Sequence, residues 1–207
     1  MPVNNEVETK ILQLKDSFEL IPNERKELLN QFAQYISSKL REKKELNLIF
    51  ICTHNSRRSH ISHIWAQTAA DYYGISNVKC YSGGTEATAF NPRAVKAMQQ
   101  AGLKIEKKDD SDNPVYIIYY SDEKKTVECF SKVYSDEYNP QNDFAAIMTC
   151  SDADENCPVV FGAEARFPIR YDDPKEFDDT DLEETKYNER VEQIGREMFF
   201  AFSNIAK

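Results

Sequence analysis

The chain has 207 residues, of which 41% are hydrophobic and 29% charged, and its formal net charge is −9. This composition supports a sizeable hydrophobic core and one α/β domain of ordinary size, and it excludes a globally disordered chain. The negative charge argues against a nucleic-acid or anionic-membrane partner. No apolar stretch reaches membrane-span length and no signal peptide is evident. The odd number of cysteines, five, indicates a reduced, cytoplasmic setting.

Residues 1–45 are predicted to form an N-terminal helical extension. Two amphipathic segments separated by Pro22-Asn23 carry apolar residues at helical spacing. We expect these helices to pack on the domain that follows or on a second copy of the chain. They contain no pattern of residues that indicates chemistry.

Residues 46–207 are predicted to form the α/β domain, because strand and helix signals alternate from Leu46 onward. Such alternation is typical of parallel strands joined by crossover helices. Residues 106–143 interrupt the alternation and are predicted to form a β-hairpin insert with a charged turn. The remaining strands are predicted at LNLIFIC, VKCYS, FAAIMT and ARFPIRY, and the helices at 57–73, NPRAVKAMQQAG and 180–204.

The loop after the first predicted strand is the main candidate for a site. A strand-to-helix turn presents free backbone N–H groups where the helix dipole favours negative charge, so it suits a tetrahedral oxyanion. Arg58 would bind two oxygens of the anion, and Cys52 would lie below its central atom as a nucleophile. Ser59 would donate to the thiolate, and Asn55 suits the tight turn that the loop needs. The predicted oxyanion-binding residues are Thr53, His54, Asn55, Ser56, Arg57 and Arg58.

The spacing of Cys52, five residues, Arg58 and Ser59 resembles the signature loop of the protein tyrosine phosphatases. Its position after the first strand of an α/β chain resembles the low-molecular-weight group of these enzymes. That resemblance implies a three-layer α/β sandwich with a central, mostly parallel sheet. The alternative is a chance cysteine and arginine near a turn, because this pattern is weak without its structural context.

The segment YDDPKEF, residues 171–177, contains the candidates for the general acid that would protonate the leaving oxygen. Proline after Asp173 holds that residue extended, which would aim its carboxylate across a pocket. An Asp-Asp-Pro sequence is also typical of a solvated turn. The match to the Asp-Pro loop of the same phosphatase family favours Asp173 over Asp172 as the acid.

Two cysteines seven residues apart, Cys150 and Cys157, flank an acidic segment after a predicted core strand. Three interpretations are open: a buried thiol beside an unrelated one, a zinc site, or a redox pair. The zinc site is the weakest of these, because it would need tighter spacing and more ligands nearby. The redox pair would require the intervening segment to rearrange.

Taken in order, CTHNSRRS, YSGGTEATAFNPRAVKAM, MTCSDADENCPV and YDDP resemble the thioredoxin-coupled arsenate reductases. The resemblance implies that Cys52 attacks arsenate, that Arg58 holds it and that Asp173 protonates the departing oxygen. It further implies that Cys150 attacks Cys52 and releases arsenite. Cys157 would then close a disulfide with Cys150, which thioredoxin would reduce. No bound cofactor is needed.

Several positions depart from that family. His54 and Arg57 replace smaller residues in the loop, and His63 stands where some members carry a potassium-binding Glu, so no metal is predicted. His60 and His63 are expected on the solvated side of their helix, and Cys80 and Cys129 are expected to be structural.

Two other functions remain open. A low-molecular-weight phosphatase would use the same loop on a phosphate monoester, although Lys175 stands where tyrosine phosphatases typically carry Tyr. A non-catalytic anion-sensing or adaptor module would use the N-terminal helices or the insert as its interaction surface. Either region is also a candidate for a homodimer contact.

Overall fold

The computed structural model of the chain describes residues 5–42, 45–121, 125–156 and 159–205. Within these ranges the helices are α1 (Asn5–Asp16), α2 (Asn23–Arg41), α3 (Arg58–Tyr72), α4 (Pro92–Gln100), α5 (Ser151–Asn156) and α6 (Glu183–Ser203). The strands are β1 (Leu46–Cys52), β2 (Val78–Gly84), β3 (Lys104–Lys107), β4 (Tyr116–Tyr119), β5 (Thr126–Cys129), β6 (Phe144–Met148) and β7 (Ala163–Phe167). No helix in these ranges is both long and apolar enough to cross a membrane.

The central sheet has four parallel strands in the order β2-β1-β6-β7, which confirms the predicted α/β class. Strand β1 lies inside the sheet and is buried on both faces, as its apolar run, interrupted only by Asn47, predicts. Leu48 and Phe50 face the larger core, which most of the helices share. Ile49 and Ile51 face a smaller core on the opposite side, which α5 helps to cover.

The predicted N-terminal helices are present as α1 and α2, and both pack against α6. Their buried residues, among them Ile11 and Phe32, belong to the same hydrophobic core as the sheet face formed by Leu48 and Phe50. The extension therefore covers the domain's own helical layer. The domain boundary at residue 45 and a dimer contact in this region stay predictions.

The insert contains the predicted hairpin, formed by the antiparallel strands β4 and β5. A third strand, β3, pairs with β4 and was not predicted, because three of the four residues of Lys104–Lys107 are charged. Beyond β5 the chain runs back to the end of β2. There Gly84 donates its N–H to the Lys132 carbonyl and accepts from the Tyr134 N–H, each at 2.8 Å. This contact brings the insert beside the loop that follows β1.

Candidate active site

The loop of residues 53–57 connects the end of β1 to the start of α3, at the carboxyl edge of the parallel sheet. Open α/β sheets bind their ligands at this edge. Within the described part of the chain, no N–H group of residues 53–57 donates to a protein acceptor. The carbonyl oxygens of Thr53, His54 and Ser56 instead accept hydrogen bonds from residues outside the loop, at 2.8 to 2.9 Å. The loop thus has the polarity of an anion-binding nest.

The thiol of Cys52 lies at the base of this loop, with its sulfur 3.1 Å from the Ser59 hydroxyl oxygen. Both residues are buried. The amide nitrogen of Asn55 donates to that same hydroxyl oxygen at 2.8 Å, and the Asn55 carbonyl oxygen accepts from the Lys132 N–H at 3.0 Å. Because Ser59 accepts from Asn55, its own hydrogen is free to point at the Cys52 sulfur. This direction stabilises a thiolate.

Two backbone features let the loop adopt this shape. Asn55 has a positive φ of 43°, a left-handed conformation that Asn tolerates better than most residues. Gly84, at the end of β2, lies so close that a Cβ there would be 2.7 Å from the Thr53 carbonyl oxygen and 2.8 Å from the Asn55 nitrogen. A side chain at position 84 would therefore displace the loop.

Arg58 opens α3 and is buried, and its guanidinium holds the predicted acid. One terminal nitrogen donates to the Asp173 carboxylate at 2.6 Å, and the other donates to the Tyr171 carbonyl at 3.0 Å. Asp173 also caps the short 3₁₀ turn Pro174–Phe177 by accepting from the Lys175 N–H at 3.1 Å. The proline after Asp173 thus begins the turn that fixes the position of this carboxylate.

The side chain of Arg57 does not turn into the loop. Its Nε donates to the Tyr187 hydroxyl at 2.7 Å, and one terminal nitrogen donates to Asp178 at 3.3 Å. The same Nε lies 3.9 Å from the Asp173 carboxylate, so Arg57 borders the predicted acid from a second side. Burial is the main reason that the pKa of Tyr187 rises to about 12. Sequence analysis missed Tyr187 and Asp178, which lie far from Arg57 along the chain.

His54 also turns outward, with 45% of its side chain exposed and its Nε2 3.6 Å from Glu86. The Ser56 hydroxyl donates to a carbonyl outside the loop, that of Ala89, at 2.7 Å. These side chains shape and anchor the loop. The groups that remain available to bind an anion are the backbone N–H groups of the loop and the side chain of Arg58. The buried Nε of Arg58 has no hydrogen-bond partner among the described residues.

Cys150 lies next to this loop, with its sulfur 3.5 Å from the hydroxyl oxygen of Thr53. It is buried in the same apolar cluster as Cys52. Cys157 lies outside the described residues, and so does its predicted pairing with Cys150. The structure thus brings five of the six predicted catalytic residues into one region: Cys52, Arg58, Ser59, Asp173 and Cys150.

The expectation that His60 and His63 face solvent was wrong, since both are buried. The insert covers this side of α3, and nearly every residue of the helix is buried. A helical pattern alone could not reveal this, because the covering strands come more than 50 residues later in the chain.

Comparison with known proteins gives matches over most of the chain. Residues 47–118 match the family described as low molecular weight phosphotyrosine protein phosphatase. An arsenate reductase of Bacillus subtilis strain 168 is 30% identical over 152 residues, covering 73% of this chain and 91% of that enzyme. An arsenate reductase of Bacillus licheniformis is 29% identical over 150 residues, covering 72% and 88% of the two chains. In fold, the chain resembles a YwlE mutant from Bacillus subtilis, with a TM-score of 0.53, 15% identity and coverage of 78% and 99%.

Proposed function

Because this chain belongs to the family that includes the arsenate reductases and the low-molecular-weight phosphotyrosine phosphatases, we propose that it reduces arsenate to arsenite through three cysteines. Enzymes of either type act on a tetrahedral oxyanion or its ester. Membership of this family therefore argues against the hypothesis of a non-catalytic adaptor. Reduction, as opposed to hydrolysis, is supported by one observation, the position of Cys150.

Cys150 places a second thiol beside the oxyanion loop, where phosphate ester hydrolysis has no use for one. Its sulfur is 3.5 Å from the side chain of Thr53, the residue that follows Cys52. Both cysteines lie in one buried cluster, and a sulfur–sulfur bond between them requires their Cα atoms to come within about 7 Å of each other. A thiol in this position can attack a neighbouring sulfur that carries arsenic.

In the first step, the Cys52 thiolate attacks arsenate bound by the loop N–H groups and Arg58. An arsenic–sulfur bond forms, and one oxygen leaves as water after it accepts a proton from Asp173. Ser59 donates to the Cys52 sulfur before the attack and again when that sulfur departs. Arg57 supports Asp173 from the other side of the carboxylate.

In the second step, Cys150 attacks the Cys52 sulfur, and the electron pair of the arsenic–sulfur bond leaves with arsenic as arsenite. Cys157 then attacks the Cys150 sulfur and releases Cys52 as a thiolate. Two thiols are oxidised and one arsenate is reduced, so the electrons balance. This exchange requires α5 to move. The helix is held in its present position by ion pairs from its buried Asp154 to Arg166 and Arg170.

The disulfide needs an external dithiol reductant, for which we propose thioredoxin. Val159 and Phe161, just after Cys157 in sequence, are 61% and 79% exposed. Exposed apolar side chains next to a redox cysteine support contact with a protein reductant. A reducing cytoplasm is the compartment that we propose, because it would keep the other thiols reduced.

The second candidate function, hydrolysis of a phosphate monoester, shares the first half of this chemistry. The Arg58–Asp173 contact of 2.6 Å, which places Asp173 beside the loop, supports it equally, since an ester oxygen would also leave with a proton from Asp173. Water would then attack the phosphocysteine, and Cys150 would take no part.

A single-turnover experiment separates the two candidates. Fully reduced protein receives one equivalent of arsenate without external reductant, and arsenite and disulfides are then quantified, the latter by mass spectrometry. We expect one arsenite and a Cys150–Cys157 disulfide, both abolished by Cys150→Ser. Cys80→Ser is the matched control, because Cys80 is a buried thiol that this chemistry does not use. If every thiol stays reduced while p-nitrophenyl phosphate is hydrolysed, the protein is a phosphatase.

A further inference from the structure

A second cluster of chemically capable side chains lies buried beside the first turns of α3. It consists of His60, His63 and Cys129, which are 0%, 4% and 0% exposed. One donor atom from each residue lies within 4.8 Å of the donor atoms of the other two. The proposed oxyanion chemistry uses none of these residues.

The cluster joins two parts of the fold that are far apart in sequence. His60 and His63 are three residues apart on α3, so they project from the same side of the helix. Cys129 is the last residue of β5 in the insert. The Cys129 sulfur lies 3.9 Å from Nδ1 of His63, close to the separation of two ligands on one tetrahedral or trigonal metal.

The His60 imidazole has a nitrogen atom available for a ligand. His60 Nδ1 lies 3.1 Å from the Ser82 hydroxyl oxygen, whereas its Nε2 is buried without a hydrogen-bond partner among the described residues. A buried nitrogen that stays unpaired is energetically costly, so this one points to a missing partner. Burial lowers the pKa of His63 to about 3, and it lowers the pKa of His60 as well. Both rings are therefore neutral, the form that coordinates metals.

We infer that His60, His63 and Cys129 form a binding site for a thiophilic d¹⁰ metal cation, with Cu⁺ favoured over Zn²⁺. One thiolate and two imidazoles are donors that both cations accept. The Ser82 hydroxyl would orient His60 from behind, as outer-shell groups do at metal sites. Ligation requires the widest separation among the three donor atoms, which is at most 4.8 Å, to shorten by about 1 Å.

The preference for Cu⁺ comes from the charge of Lys132, which is buried beside the cluster. This charge contributes to the lowered pKa of both histidines. The Lys132 ammonium contacts the Phe130 carbonyl at 3.3 Å and the Phe130 and Tyr138 rings, and it has no ion pair among the described residues. On binding, Cu⁺ replaces the proton of the Cys129 thiol and leaves the local charge unchanged. Zn²⁺ would add one positive charge next to Lys132.

A metal here would fasten the insert to the helix that begins at the oxyanion loop. Cys129 is followed closely by Ser131 and Lys132, which donate to the His54 carbonyl and to the Asn55 side chain. Occupancy of the site is therefore expected to raise the melting temperature of the whole chain.

The test uses reduced full-length protein, without oxygen, titrated with Cu⁺ against bicinchoninate and separately with Zn²⁺ against a chromophoric chelator. We expect one tightly bound Cu⁺ per chain, weaker Zn²⁺ binding, and a gain in Zn²⁺ affinity in Lys132→Met. Cys129→Ser is expected to weaken Cu⁺ binding by more than about 100-fold, beyond the cost of losing an outer-shell partner. Cys80→Ser, which changes a buried thiol outside the cluster, should bind as wild type.

X-ray absorption of the wild-type protein with one equivalent of Cu⁺ provides a reading that does not depend on a variant folding. One sulfur and two nitrogen scatterers are expected. Two or more sulfurs would place the metal on the Cys52, Cys150 and Cys157 thiols and overturn the site. Absence of tight binding, or full affinity in Cys129→Ser, would overturn it too. Zn²⁺ binding tighter than Cu⁺ would refute the charge argument.

Discussion

The side-chain amide of Asn55 donates a hydrogen bond of 2.8 Å to the hydroxyl oxygen of Ser59. The amide cannot be reversed without loss, because its carbonyl oxygen accepts from the Lys132 N–H. The Ser59 hydroxyl therefore has one remaining direction for its own hydrogen, toward the Cys52 sulfur 3.1 Å away. The insert, through Lys132, thus sets the direction of a hydrogen-bond chain that ends at Cys52, the proposed nucleophile.

Replacing Ser59 tests this chain. In Ser59→Ala the Cys52 thiolate loses its donor, and a hydrogen bond to a charged group contributes about 1.5–3 kcal/mol. We expect the first-step rate with arsenate or p-nitrophenyl phosphate to fall by about 10- to 100-fold. Ser62→Ala is the matched control, because Ser62 is buried on the same helix and its hydroxyl has no partner among the described residues. Equal rates in the two variants would contradict the role given to Ser59.

Replacing Asp173 tests the general acid. Asp173→Asn keeps the shape of the side chain and a weaker contact with Arg58, but it cannot protonate the leaving oxygen. We expect the rate to fall by about 10²- to 10⁴-fold with phenyl phosphate, whose leaving group is poor, and by less with p-nitrophenyl phosphate. Asp172→Asn is the control, since that side chain is 97% exposed and only approaches Arg190. Equal losses with the two esters would mean that Asp173 acts through Arg58 alone.

The position of the loop between β1 and α3 was predictable because its signals are local. A buried strand that ends at Cys52, a turn, and a helix that begins at Arg58 follow one another directly, and the structure has them as β1, the loop of residues 53–57 and α3. The Asp-Pro turn at Asp173 could be placed for the same reason. Its contact with Arg58, across 115 residues of sequence, was not predicted, because the family resemblance implied only that Asp173 would reach the departing oxygen of a bound anion.

The support that surrounds the loop was not predictable, because it comes from distant segments without a motif of their own. Ser131 and Lys132 contact His54 and Asn55 across 77 residues of sequence, and nothing in their composition marks them. The insert that carries Ser131 and Lys132 also buries His60. The insert buries a face of α3 that would otherwise be exposed to solvent. The residue pattern of α3 alone does not indicate this burial.

The packing of α1 gives a stability prediction with two adjacent residues. Ile11 is fully buried against the domain, whereas Leu12 is 49% exposed. Ile11→Ala is expected to lower the free energy of unfolding by about 2–5 kcal/mol, through lost burial and the cavity left behind. Leu12→Ala is expected to change it by less than about 0.5 kcal/mol. Urea unfolding followed by circular dichroism measures both, and similar small effects would show that α1 does not pack on the core.

The buried histidines predict that the metal-free protein loses stability in mild acid. The pKa of His63 is about 3 in the folded chain against 6.5 ordinarily, because burial disfavours its charged form. The unfolded chain therefore binds more protons below pH 6.5, so the free energy of unfolding falls as the pH falls toward 3. Between pH 7.5 and 5.5 the loss is about 1.4 kcal/mol for such a histidine, and His60 adds a loss in the same direction.

Urea unfolding in EDTA at pH 7.5 and pH 5.5 measures this loss in the free energy of unfolding. Most carboxylates remain ionised over that range. His63→Gln removes the titrating ring and keeps a polar side chain, so it is expected to reduce the pH dependence by about 1.4 kcal/mol relative to wild type. His60→Gln should act in the same direction, and the double variant should be nearly independent of pH over this range. If His63→Gln kept the full wild-type loss, the source would be another group, because a neutral glutamine cannot take up the proton.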